Sequence, residues 1–201
     1  MALFASLLAN ALIAAAPATP LPWFIFDDYP QKAFEKEWRG QTVFEILVTP
    51  DGRPGECKVT RSSGYELLDR QTCWTAMHRA RFRPARSPDG SAIYGTYRGQ
   101  VNWHRPDQEA LQGVPGPDME VTVATLPGDT RRPAAVHLAY LVDVSGNPHA
   151  CTELPDWRQP TALVEAACSQ LMSKAARVPV TANGQPVTAV RTASVLFSET
   201  K

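Results

Sequence analysis

The sequence predicts an α+β protein of two tandem modules, each a three-stranded antiparallel sheet with a helix packed on one face. Three observations carry that expectation. First, the chain repeats itself: VFEILVTPDGRPGEC ends at Cys57 and HLAYLVDVSGNPHAC ends at Cys151, with Gly52 and Gly146 each five residues ahead of the cysteine. Second, the repeat continues at an offset of 94 or 95 positions, through Cys73-x10-Pro84 against Cys168-x10-Pro179 and then Ile93, Val101 and Trp103 against Val187, Val195 and Phe197. Such a period is too long for a solenoid repeat and suits a small domain. Third, the hydrophobic pattern in each copy runs at period two, then at the helical period, then at period two again.

In chain order, residues 1–20 carry no charge, and 3–16 are apolar except for Ser6 and Asn10. The stretch is short for a membrane span and fits a signal peptide over 1–18, with Ala16-Pro17-Ala18 as a small-x-small cleavage site. Its positive end is the amino terminus alone, so a retained inner-membrane anchor is the alternative. Residues 19–27 form a short segment with the aromatic patch Trp23 to Phe26. Residues 31–38 read as a helix with Ala33, Phe34 and Trp38 as its buried side. Residues 42–48 alternate, with Phe44, Ile46 and Val48 inward and Val43, Glu45 and Leu47 outward. Pro50-Asp51-Gly52 turns the hairpin. The returning strand places Cys57 and Val59 inward.

Residues 67–82 read as a helix with Leu68, Thr72, Cys73, Ala76 and Ala80 on one stripe, Asp69 in its first turns and arginines at its end. In the second copy, Val164, Cys168, Leu171 and Ala175 form the stripe of a helix over 163–177. Cysteine thus stands on the inward face of a strand and on the inward stripe of a helix in both copies, the arrangement a strand-to-helix disulfide requires. Four cysteines allow three pairings, and the repeat selects Cys57 with Cys73 and Cys151 with Cys168; four free thiols are the alternative. Residues 92–103 form a long strand, in which Gly95 and Gly99 leave room for a helix to approach. Residues 104–118 are a Pro/Gly-rich linker. The second module follows over 119–201, with an extra strand at 120–124.

The first module, over 28–103, resembles the C-terminal domain of the TonB family of energy transducers. Tyr29-Pro30, Ala33, Gly40, Val43, the run from Val48 to Arg53, Ser62-Ser63-Gly64, Leu68-Asp69 and the run from Ala76 to Pro84 carry the likeness. The second module resembles a divergent copy that keeps Val142, Gly146, Pro179 and Val195. The resemblance implies a non-enzymatic periplasmic or secreted protein that binds an extended peptide segment of a TonB-dependent outer-membrane receptor by strand addition, in the service of transmembrane transport. It places the contact on the last strand of module one, at Tyr94, Thr96, Arg98, Gln100 and Asn102. The apolar segment and the domain are close together, unlike the anchor and long spacer of the family's transducers.

Rival readings are weaker in residues. Lysine plus arginine and aspartate plus glutamate are equal at 20 each, with no run of like charges. Nothing there argues for nucleic acid. No histidine falls in a metal-ligand pattern, no phosphate loop occurs, and Ser63, His78 and Asp69 lack a nucleophile elbow. No cofactor, metal or small-molecule substrate is expected. A scaffold whose modules pair their own sheet edges is the alternative to receptor binding.

Overall fold

The computed structural model describes residues 11–18, 23–111, 113, 116–155 and 157–200. The leader reading falls partly on 1–10, and the linker reading partly on 112, 114 and 115, which lie outside the described residues. The first half contains β1 (Ala16–Pro17), a 3-10 turn (Phe26–Asp28), α1 (Gln31–Glu35), β2 (Gly40–Val48), β3 (Pro54–Arg61), α2 (Glu66–Arg79), β4 (Phe82–Arg83), β5 (Ala85–Arg86) and β6 (Ala92–Trp103). The second contains β7 (Met119–Val123), β8 (Ala135–Val142), β9 (Pro148–Glu153), α3 (Thr161–Met172) and β10 (Ala189–Glu199). Strand, strand, helix, strand is the order of β2, β3, α2, β6 and again of β8, β9, α3, β10.

The two expected three-stranded sheets are fused. One sheet runs β3-β2-β6-β10-β8-β9, with β7 added in parallel to β10. The join is the parallel pairing of Tyr94 with Ala189 and Gly95 with Val190. A second difference is that Val43 and Leu47, expected outward, are 3% and 5% exposed, so β2, which lies between β3 and β6, is buried on both faces. The main core gathers Phe44, Ile46, Val48, Leu68, Ala76, Val101 and Trp103, and it reaches across the join to Ala139 and Val190. A second core holds Leu138, Leu163, Ala167, Val195 and Phe197 under α3.

Both main helices stop sooner than their hydrophobic stripes suggest, at Arg79 and Met172. The chain turns there because a backbone amide beyond the helix is needed elsewhere. Phe82 N donates to Gly52 O at 2.9 Å, and Ala176 N donates to Gly146 O at 2.8 Å. Each glycine has positive φ, +78° and +85°. A Cβ on Gly52 would lie 2.3 Å from Phe82 O, and one on Gly146 would lie 2.7 Å from Ala176 O. Helix α1 is likewise shorter than expected: Ala33 is buried, whereas Phe34 is 38% exposed and rests edge-on against Phe26 and Tyr29 under Arg105.

Two disulfides clamp strand to helix, Cys57 to Cys73 and Cys151 to Cys168, with Cα–Cα distances of 5.6 and 5.8 Å. Each half thus has a covalent tie from strand to helix and a hydrogen-bonded tie from the hairpin glycine to the segment beyond the helix.

Gly52→Ala combines a left-handed backbone with a blocked Cβ, and is expected to cost about 2 kcal/mol or more, read as a lower urea midpoint. The double substitution Cys57→Ser/Cys73→Ser is expected to cost about 3 kcal/mol, read in the same assay; an unchanged midpoint would show that the staple adds nothing.

Candidate peptide-binding edge

Strand β6 is set in place from behind by aromatic packing. Its last residue, Trp103, is buried and donates from Nε1 to Thr72 Oγ1 on α2 at 3.0 Å. Thr72 Oγ1 in turn donates to Leu68 O at 2.9 Å. The glycines of β6 admit neighbours other than the helix the sequence suggested. A Cβ on Gly99 would meet Phe44 Cζ at 2.5 Å, and one on Gly95 would meet Ala85 Cβ at 2.6 Å and Ala15 Cβ at 3.0 Å. The absent side chains therefore let the Phe44 ring lie across the sheet and let two small residues close over it.

One edge of β6 is filled by β2, from Gly95 against Val48 to Trp103 against Gly40. On the opposite edge β10 pairs with Tyr94 and Gly95, then leaves. Among the described residues no strand pairs with that edge over 96–103.

The five residues expected to meet a peptide are distributed unevenly along this strand. Tyr94 lies inside the join, paired with Ala189. Thr96 is 5% exposed. Arg98 is half-exposed and binds Asp118 at 2.6 Å. Gln100 is exposed. Asn102 is exposed and its Oδ1 accepts from Gln41 Nε2 at 2.9 Å, a group that also donates to Gly113 O in the linker. The accessible part of the predicted contact is thus its C-terminal half.

Charged groups that the sequence reading did not single out define the start of the open edge. Asp118 holds Arg98 and also Ser194 of β10, through Asp118 N to Ser194 O at 2.8 Å and Ser194 N to Asp118 Oδ2 at 2.9 Å. Glu45 on β2 binds Arg191 on β10 at 2.7 Å, both largely shielded from solvent. Where β6 and β10 part, these residues with Tyr140 and Thr96 line a cleft of about 1170 Å³. Nothing local to Glu45, Asp118 or Arg191 distinguishes them from other surface charges, because their partners are distant in sequence.

The Ser62-Ser63-Gly64 and Leu68-Asp69 motifs form one structure. Asp69 accepts from Ser62 Oγ at 2.5 Å, Ser63 N at 2.9 Å and Thr42 Oγ1 at 2.9 Å. It ties the turn after β3 and the start of β2 to α2. Partial burial raises the Asp69 pKa, but these hydrogen bonds outweigh burial and lower it on balance. Ser63 Oγ bonds the Tyr65 backbone and His78 Nδ1 the Trp74 carbonyl, so His78 is engaged away from Ser63 and Asp69. The arginines after α2 are also occupied: Arg79 pairs with the buried Asp28 at 2.7 Å, and Arg81 and Arg86 donate to backbone carbonyls.

A depressed carboxylate pKa stabilises the fold fully above the unfolded value, near 3.9, and that stabilisation is lost as pH falls through the lower folded value. Asp69→Ala is expected to cost about 1–2 kcal/mol at neutral pH and to flatten the loss of stability below about pH 4. Urea melts of both proteins between neutral and acid pH check this; parallel curves would remove Asp69 from that role.

Comparison with known proteins places this edge in context. Over 62 residues the chain is 37% identical to the protein named tonB2 of Pseudomonas aeruginosa; that match takes in 31% of this chain and 23% of that protein's length. Residues 27–104, the stretch that holds α1 to β6, match the family described as the Gram-negative bacterial TonB protein C-terminal.

Proposed function

We propose that this chain is a TonB-type component of transmembrane transport, periplasmic or secreted, whose first module binds an extended segment of an outer-membrane transport receptor without catalysing a reaction. The observation that carries the reading is the edge of β6 over 96–103, unpaired among the described residues and inside the matched stretch. A strand edge offers backbone donors and acceptors at regular spacing, and an extended peptide satisfies them by adding one strand. Arg98, Gln100 and Asn102 give the side-chain contacts. No helix among the described residues is long and apolar enough to cross a membrane. Anchoring by an uncleaved N-terminal segment, and with it coupling to a membrane motor, is the alternative arrangement. In this reading 28–103 and 119–201 are two copies of one module, the second divergent, and the hairpin glycine contact that recurs at Gly52 and Gly146 supports the duplication.

A scaffold reading has its own observation. The last strands of the two halves pair at Tyr94 and Gly95, which supports a scaffold that joins its own sheet edges.

The two readings part on titration of the full chain with a synthetic peptide copying the periplasmic extended segment of an outer-membrane receptor from the same cell. Receptor binding predicts backbone amide shifts centred on 96–103, and a two- to tenfold loss of affinity in Arg98→Ala/Gln100→Ala, roughly what one or two exposed hydrogen bonds contribute. A panel of such peptides that leaves these amides unmoved favours the scaffold.

A further inference from the structure

The N-terminal segment 11–18 is extended along a second edge, that of 81–86, distinct from the open edge of β6. It runs antiparallel to 81–86 in one register: Ile13 opposite Arg86, Ala16 opposite Arg83 and Pro17 opposite Phe82. Ile13 N donates to Arg86 O at 3.0 Å, Arg86 N donates to Ile13 O at 2.9 Å, and Ala18 N donates to Arg81 O at 2.8 Å. Leu12 and Ala15 are 6% and 7% exposed and belong to the main core, while Ile13 points outward at 53%. The seat under Ala15 is shaped by a missing side chain, since a Cβ on Gly95 would stand 3.0 Å from Ala15 Cβ.

The sequence expectation assigns these same residues to a removable leader. A leader that leaves takes a strand and two core side chains with it, and uncovers backbone groups of 81–86 and an apolar seat. The geometry points to a peptide-acceptor site at 81–86 that residues 11–18 occupy in the intact chain, and that an extended apolar peptide fills in trans once they are gone. The occupant's chemistry follows from the seat. A large aliphatic residue fills the place of Leu12. Three residues later a small residue follows, since Ala15 is 7% exposed, belongs to the main core and faces Gly95, which has no side chain. A backbone N–H must stand where Ile13 donates to Arg86. Arg83 and Arg86 are exposed, so the buried part of the seat is apolar.

The site is tested on the full chain with a protease site inserted between residues 18 and 23 and cut after folding. The probe is a fluorescent peptide of residues 11–18, Ala-Leu-Ile-Ala-Ala-Ala-Pro-Ala. The expected result is release of the fragment and saturable one-to-one uptake of the probe by the cut chain, with none by the uncut chain. Peptides carrying Ala15→Leu or Ile13→Pro are expected to bind at least tenfold more weakly. The proposal is overturned by a cut chain that loses its fragment, keeps its near-ultraviolet circular dichroism and takes up no probe; by an Ala15→Leu peptide that binds as well as the parent; or by unfolding on release, which makes 11–18 a structural strand. Dimerisation of the cut chain in light scattering, without uptake, assigns the edge to a second copy and overturns the peptide as well.

Discussion

The sheet passes from one half of the chain to the other through two residue pairs, Tyr94 with Ala189 and Gly95 with Val190. That short parallel join determines what else the molecule can present. If β10 continued alongside β6, the edge of β6 would be closed; because β10 turns away after Val190 to receive β7, no strand among the described residues pairs with that side of β6 over 96–103. The core is continuous beneath the join, with Ala139 and Val190 packed among residues of the first half. Above the divergence, Glu45 with Arg191 and Arg98 with Asp118 hold the strands at a set separation. Pairs of this kind contribute little net stability once desolvation is counted, and act chiefly on which arrangement forms.

Each half is organised around the same closed circuit. The hairpin glycine accepts a hydrogen bond from the amide beyond the helix, and a disulfide returns from helix to strand. The details differ where the sequence diverges. At the first hairpin Thr49 Oγ1 accepts from Arg53 N at 3.1 Å, and at the second Asp143 Oδ1 accepts from Asn147 N at 2.9 Å. The Asp143 carboxylate also receives His149, Ser145 and the Asn147 side chain. Its pKa is depressed by the bond to His149 first and by the backbone bonds next. An aspartate thus does with charge what a threonine does with a hydroxyl.

Much of this was legible in the sequence because it depends on neighbours along the chain. Alternation located β2, β6 and β8, the turn glycines located the hairpins, and the cysteine spacing on strand and helix selected the disulfides. The extent of β6 was read to within its ends. What escaped depends on residues far apart. Val43 and Leu47 are buried on the second face of β2, a burial that the alternation of its residues does not encode. Phe34 is 38% exposed although Ala33 beside it is buried, because α1 is only a turn and a half and directs Ala33 alone into the core. The charges around Asp118 came from a segment with linker composition. The apolar run at 11–18 announces hydrophobicity, and nothing in it says that Leu12 and Ala15 would find a seat against Gly95.

The join has a mechanical meaning as well. Sheets resist force in proportion to the hydrogen-bonded length that must yield together. Nine residue pairs hold β2 to β6 and eight hold β10 to β8, against two between β6 and β10. The covalent clamps lie in the outer hairpins, away from this seam. Tension between the halves therefore bears first on this seam, while the continuous core beneath it, through Ala139 and Val190, shares the load. The stapled hairpins on either side lie outside the line of yielding.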